Sequence, residues 1–297
     1  MPSRFPTQSD RTGVIRWVVA AMLVLASCAG SGGSSTTSSP GSGDPDPGRV
    51  GPQGRVAQFL VHCTVSHIAF DDPIVLPWQP GKSHQHQFFG NATTDSDPGY
   101  ERAVGGDTSC DQRLDTASYW SPTLLTETGE RVDALSMTAY YRPGDGIAPS
   151  DVEPYPPGFM MVAGDAMASE PQSTDVVAWG CGSGSDRSES PPTCGEAATL
   201  RLWITFPDCW DGDRLSTFGA GAHVRYSDDG CPETHPTPLP RLQMAIDFPP
   251  VPPEGLSLSS GPIVTAHADF WNTWDQEKLE GEVAMCLNRD LVCGVSG

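Results

Sequence analysis

The chain has 297 residues and a formal charge of -20, with 17 Lys+Arg against 37 Asp+Glu. That balance makes nucleic acid and anionic surfaces poor partners. Hydrophobic residues at 37% can build a core, but 32 glycines and 29 prolines spread along the chain make long helices scarce.

The N-terminus carries Arg4, Arg11 and Arg16, followed by the apolar run Trp17 to Ala26. That run is too short to span a bilayer comfortably and reads as the core of a signal peptide. It ends in Leu25-Ala26-Ser27-Cys28, the pattern of a bacterial lipoprotein box. The expectation is a signal peptide over residues 1–27, cleavage before Cys28 and diacylation of that cysteine; the rival is an ordinary secretory signal with a chance cysteine. Two acyl chains anchor stably where one does not. Residues 28–54 are Gly, Ser, Thr, Pro and Asp with almost no apolar side chain, the composition of a flexible tether. The folded domain is expected over 55–297. Without residues 1–27, which hold three arginines and one aspartate, 14 bases face 36 acids, a charge of -22.

Nine cysteines occur, and assigning Cys28 to lipid leaves eight. An even set in an exported chain reads as four disulfides, for which 105 pairings exist. Proximity favours Cys63–Cys110, Cys181–Cys194, Cys209–Cys231 and Cys286–Cys293. No Cys-x2-Cys spacing supports a cysteine zinc site.

Short alternating runs between turn clusters predict a mainly β domain. The clearest are 199–206, with Leu200, Leu202, Ile204 and Phe206 on one face, and 241–248, with Leu242, Met244, Ile246 and Phe248 on one face. Further strands are expected over 56–62, 85–89, 134–141, 159–163, 176–179, 222–226 and 263–271. About nine strands suffice for two packed sheets, an antiparallel β-sandwich or jelly roll. The loops 144–157 and 182–192 are rich in Pro, Gly and Ser and are expected to be exposed. One helix is expected over 275–287, with Thr273 as its cap and Leu279, Val283 and Cys286 or Leu287 on its buried face.

Two stretches hold the candidate chemistry. In the first, Asp72 precedes Trp78 and the pair His84 and His86. In a strand, residues i and i+2 share a face, so the two imidazoles would stand side by side. The second is 263–275. There Val264, Ala266, Ala268 and Phe270 form an apolar face, while Thr265, His267, Asp269 and Trp271 form a polar and aromatic one. Three readings fit these groups. His84, His86, His267 and Asp269 have the types and spacing to hold one divalent ion of zinc, copper, iron or manganese. Asp72, His84, His86, His267 and Asp269 also suit metal-free acid–base catalysis at a glycosidic bond or uronic-acid carbon. The third reading is structural, with histidines bonding backbone groups beneath proline-rich loops. Trp78, Tyr119, Trp120, His223, Arg225, Trp271 and Trp274 are candidate contacts to a saccharide, since indole stacks on sugar C–H faces. His235 reads as a loop residue, and His62 and His67 are assigned no role. No Gly-x-Ser-x-Gly elbow, phosphate-binding loop or dinucleotide fingerprint occurs.

These motifs together carry a resemblance. Asp72-Pro73-Ile74-Val75, Pro80-Gly81, Ser83-His84-Gln85-His86 and Phe89-Gly90 resemble the opening signature of the family called domain of unknown function nineteen-ninety-six. Ser118-Tyr119-Trp120-Ser121-Pro122, Trp179-Gly180-Cys181, Phe206-Pro207-Asp208-Cys209-Trp210, His223-Val224, Leu258-Ser259-Ser260-Gly261 and His267-Ala268-Asp269-Phe270 with Trp274-Asp275 follow in order. The resemblance runs from about Val56 to Cys286. It implies an exported domain of actinobacteria and fungi, sometimes joined in fungi to carbohydrate-binding modules, and carries no settled activity. This chain departs from the pattern by placing Trp78-Gln79 ahead of Pro80-Gly81. The combined expectation is a monomeric cell-envelope lipoprotein, extracytoplasmic and membrane-anchored, that cleaves or modifies cell-wall polysaccharide. The alternative is a non-enzymatic glycan-binding or structural envelope protein.

Overall fold

The computed structural model describes residues 57–184, 186–216 and 222–294. All of them belong to one compact unit, Asp44–Gly297. The signal peptide, Cys28 and the tether lie outside the described residues.

Ten strands form two five-stranded antiparallel sheets. They are β1 (Phe59–Cys63), β2 (Val65–Ala69), β3 (His86–Gly90), β4 (Ser118–Pro122), β5 (Ser136–Arg142), β6 (Met160–Gly164), β7 (Val177–Cys181), β8 (Leu200–Thr205), β9 (Arg241–Phe248) and β10 (His267–Trp271). The first sheet has the order β1-β5-β9-β8-β7, and the second β2-β3-β4-β10-β6. The domain is mainly β, as the alternating runs predict. Shorter two-residue strands fill the connections.

The period of two decides what each face does. Leu242, Met244, Ile246 and Phe248 of β9 and Leu202 and Ile204 of β8 are buried in one core cluster. That cluster also holds Phe89, Tyr119, Met161, Ala163, Ala268 and Phe270 from the second sheet. The two sheets therefore bury their inner faces against each other, as a sandwich does. The outer face of the second sheet carries a separate cluster of Ile74, Phe88, Ala103, Trp120, Met160 and Trp271. A sheet that buries both faces must be covered on its outside, and the segment from Asp71 to Ser83 supplies part of that cover through Ile74.

Four disulfides pair Cys63–Cys110, Cys181–Cys194, Cys209–Cys231 and Cys286–Cys293, as proximity favours. The bridge whose cysteines are 47 positions apart closes the longest loop and removes most freedom from the unfolded chain. The C-terminal helix runs Gln276–Glu282 and widens into a π-turn over Val283–Leu287. Its cap is Asp275, whose carboxylate accepts the Lys278 N–H at 2.9 Å, and not Thr273. Thr273 is buried and bonds the Thr116 carbonyl instead. The strand Val65–Ala69 lies outside the expected strands: it is half-buried throughout, and a register shift against β3 interrupts its alternation. Residues 263–265 form a 3-10 turn, so the expected strand over 263–271 begins only at His267. The 144–157 loop is not simply exposed: Val152 and Tyr155 enter the core, and the Tyr155 hydroxyl donates to the Pro240 carbonyl.

At the centre of the sandwich, the Tyr119 hydroxyl donates to Asp115 Oδ2 at 2.8 Å and meets the Tyr141 hydroxyl. Trp274 Nε1 donates to the Tyr141 oxygen at 3.2 Å. Asp115 is fully buried, and burial pushes its carboxyl up to about 8. A carboxyl with a raised folded-state pKa stabilises the fold below its unfolded value, and that contribution is lost as pH rises through the folded value. Thermal melts should therefore show wild-type stability eroding between pH 4 and pH 8 relative to Asp115→Asn, which keeps the neutral amide throughout. A constant difference in melting temperature across that window would contradict this assignment.

Candidate metal centre

The outer face of β10 presents His267, Asp269 and Trp271, while Ala268 and Phe270 point into the inner core. β3 presents His86 and Phe88 on the same outer face and buries Phe89 inside. β4 lies between them, pairing Phe88 with Trp120 and Trp120 with Asp269 across the sheet. Backbone register thus places an imidazole from β3 and an imidazole and carboxylate from β10 on one surface. His84 lies just before β3, in the segment leading from the Asp71–Ser83 cover.

The three rings converge. His84 and His86 have centroids 4.3 Å apart, His84 and His267 5.1 Å, and His86 and His267 6.1 Å. Each offers a ring nitrogen within 4.8 Å of the others. Asp72, His86 and Asp269 form an overlapping trio at the same spacing. The protein also fixes the tautomers. His86 Nδ1–H donates to the Asp71 carbonyl at 2.9 Å, and His267 Nδ1–H donates to the Thr265 carbonyl at 2.8 Å. Each of these bonds leaves Nε2 as the free lone pair, the arrangement used by metal-ligating histidines.

The orphaned atoms are telling. His84 Nε2, His86 Nε2 and both carboxylate oxygens of Asp269 are buried with no hydrogen-bond partner among the described residues. Asp269 is 1% exposed. Asp72 Oδ1 accepts the Ile74 and Val75 N–H groups at 2.9 and 2.8 Å. Among the described residues no Arg or Lys pairs with either carboxylate. Unpaired buried charge is expensive, so the metal-free site resists ionisation. Burial and then the Asp72 charge hold Asp269 well above the ordinary carboxylate range. Burial raises Asp72, against the pull of its two backbone donors. Burial and the nearby His267 lower His84 to about 4, and burial and His84 drive His86 well down. Burial lowers His267. Three neutral imidazoles and two carboxylates form a donor set of charge -2, which one divalent cation balances. The residues present therefore fit such an ion.

Residues 72–274 match the family described as "Domain of unknown function (DUF1996)". The chain belongs to that family. The match begins at Asp72 and encloses His84, His86, His267 and Asp269, so the whole donor set lies within the DUF1996 domain. No curated protein and no solved structure is significantly similar to the chain.

The other expected contacts divide. Trp120 and Trp271 belong to the outer cluster beside the histidines, but both are fully buried and their indole N–H groups lack partners among the described residues. Tyr119 and Trp274 are corrections. Alternation turns Tyr119 into the inner core, one residue away from Trp120, and Trp274 packs there against Phe59 and Tyr141. His223 packs on Phe159 at 5.1 Å, and Arg225 is exposed on a short strand paired with Cys209. The structure does not place either in the histidine cluster. Trp78 is 71% exposed on the cover, in the left-handed region at φ 58, where its N–H donates to the Ser96 carbonyl at 2.6 Å. A tryptophan there is sterically costly and is held by its surroundings. His67, assigned no role from sequence, stacks on Phe88 at 4.4 Å and bonds the Thr94 carbonyl at 2.8 Å. It walls the cluster from β2, opposite Phe88; a register shift between Val65 and His67 breaks the alternation of this strand, so the period of two does not show it from sequence.

Asp269→Asn separates the two costs at this centre. A raised carboxyl loses its stabilising contribution as pH rises, so the metal-free variant should melt above wild type at pH 8 and level with it at pH 4. Its affinity for a divalent ion should fall by at least about tenfold, read by competition with a chromogenic chelator. Unchanged affinity would remove Asp269 from the donor set.

Proposed function

We propose that this DUF1996 protein is an exported, lipid-anchored envelope protein that holds one divalent metal ion on His84, His86 and His267, with Asp269 and Asp72 completing the charge, and acts on a polysaccharide. The observation that carries this reading is the convergence of three neutral imidazoles on orphaned buried carboxylate oxygens. Export is supported by four disulfides, which belong to oxidising compartments. Among the described residues no helix is long and apolar enough to cross a membrane. Attachment to the membrane is assigned to Cys28.

A bound divalent ion would supply a Lewis acid for a saccharide oxygen and lower the pKa of a bound water. The chain's own residues contribute orientation and access. The Asp71 and Thr265 carbonyls aim His86 and His267, and Trp120, Phe88 and Trp271 exclude water from the inner side of the cluster. His84 is only partly buried and marks the open side. Exposed Val75 and Trp78 lie on the cover leading to it, with exposed Phe70 just ahead of it, and a flat indole held outward suits the C–H face of a sugar ring.

One observation favours metal-free acid–base chemistry as the second reading. Asp72 and Asp269 are neighbouring buried carboxyls, each raised, beside histidines that are each lowered. Groups whose environments separate their proton affinities are suited to acid and base roles. The non-enzymatic reading loses two of its platforms, because Trp271 and Trp274 are buried.

His84→Ala and His267→Ala should abolish turnover of the substrate polysaccharide, scored across a panel of bacterial cell-wall polysaccharides by reducing-end release and by absorbance of unsaturated products. The melting temperature of the metal-stripped protein should barely change. Trp78→Ala should raise KM several-fold and leave kcat near wild type. Full activity in the double histidine variant would sink the reading, and activity that survives exhaustive chelation would move it to the acid–base alternative.

A further inference from the structure

The face of the sandwich opposite the histidines carries a second unassigned feature. The outer surface of the first sheet presents Tyr140 and Arg142 from β5, Gln243 from β9, and Arg201, Trp203 and Thr205 from β8. Loops wall this surface into an open cleft of about 680 Å3 that includes Arg142, Arg187, Trp203, Thr205, Gln243 and Ser173. Trp203 points outward by alternation, yet it is only 4% exposed. Its cover is the Arg187 guanidinium, whose carbon lies 3.5 Å from the ring centroid.

The charges in this cleft are unusual for so acidic a chain. Arg201 pairs with Asp247 at 2.6 Å, and Arg241 pairs with Asp145 and Asp208 at 2.8 and 3.1 Å. Arg142 and Arg187 pair with no carboxylate among the described residues. Arg142 donates to the Gln58 and Gln243 amide oxygens at 2.8 and 3.3 Å and lies over Tyr140. Among the described residues the Arg187 guanidinium has the indole as its partner, and Arg187 is exposed. Lost hydration and the like charges of Arg142 and Arg201 lower Arg187 to about 10, which leaves it fully charged at neutral pH. With 37 acidic residues in the chain, two neighbouring guanidiniums left without one are cations kept for something else. Asp175 and Asp228 also line the cleft, but from its walls rather than the sheet floor.

We propose that this cleft binds an anionic glycan, with Arg142 and Arg187 receiving its carboxylate or phosphate groups and Thr205, Gln243 and Ser173 its hydroxyls. A guanidinium braced on an aromatic face presents its N–H fork in a fixed plane, which suits a planar carboxylate or a phosphate edge. Hydroxyl and amide side chains along an open cleft match a polyol better than an apolar ligand. The site is separate from the histidine centre, on the other outer face of the fold, and does not depend on a metal there.

Titration of the full folded domain with tri-galacturonate, its fully methyl-esterified form and an oligo(glycerol phosphate), followed by calorimetry and tryptophan fluorescence, tests this. At least one anionic oligomer should bind, the ester at least about tenfold more weakly than the acid if the carboxylate is the ligand group. Arg187→Gln and Arg142→Gln should each weaken binding by about tenfold, Arg187→Lys less, and affinity should fall as salt rises. Phosphate-oligomer binding with the same arginine dependence supports the site and identifies the anion as phosphate. Chelation, which strips the histidine centre, should leave binding unchanged. Because Arg187 is exposed, its variant should melt like wild type. Equal binding of acid and ester with no phosphate-oligomer binding, retention in the Arg142→Gln/Arg187→Gln double variant, or no binding of either anion would overturn the proposal.

Discussion

The organisation of this domain depends on one electrostatic constraint: two buried carboxylates and three imidazoles, of which His84 is only partly buried, meet over one sheet face with no cation among the described residues to balance them. Water is excluded by Trp120, Phe88, Trp271 and Ile74. In such surroundings an ionised Asp269 with no donor is among the costliest groups a protein can carry. A chain that merely needed to fill this space would use apolar residues, which pack at no electrostatic cost. The arrangement makes physical sense when a divalent cation completes it, and the fixed tautomers of His86 and His267 already expose the nitrogen a cation requires.

The sandwich makes that arrangement possible by burying both faces of one sheet. Its inner face joins the common core, where Tyr119, Tyr141, Asp115 and Trp274 satisfy one another's polar groups. Its outer face is sealed by the proline-bearing cover from Asp71 to Ser83 and by the segment containing Ala103. The same cover supplies the Asp72 carboxylate, the Asp71 carbonyl that aims His86, and the exposed Trp78. Roof, second carboxylate and orienting acceptor are therefore one piece of chain. The Cys63–Cys110 bridge ties the end of β1, just before β2, to the segment leading into β4, and so braces the sheet that bears the site.

Much of this is legible in the sequence because strands have a period of two. His267 and Asp269 are two apart in β10, and Ala268 between them turns to the core and sends both outward together, whereas His84 precedes β3 and reaches His86 from the end of the cover rather than through the strand period. The pairing of cysteines follows proximity. What alternation alone does not reveal is which neighbour faces the site when both are aromatic. Tyr119 and Trp120 are equally plausible from composition, and the register of β4 sends one to the core and the other to the histidines. Trp274 lies beyond the end of β10, where the strand period no longer applies. Thr273 and Asp275 can both cap a helix, and burial of Thr273 against Thr116 leaves the task to Asp275. Asp72 is readable as a motif position, but its proximity to Asp269 arises from the path of the cover over the sheet. Arg142 and Arg187 were unremarkable in sequence, since nothing local shows that they lack acidic partners.

The central claim is that His84, His86 and His267 hold a single divalent ion. Elemental analysis of the protein, purified without a histidine tag and dialysed free of loose metal, measures it directly. The account predicts close to one equivalent of a first-row divalent metal per chain, lost on chelation, restored on reconstitution, and absent from the His84→Ala/His86→Ala/His267→Ala protein. A metal-free wild type that takes up no ion on reconstitution, or a triple variant that retains a full equivalent, would contradict it.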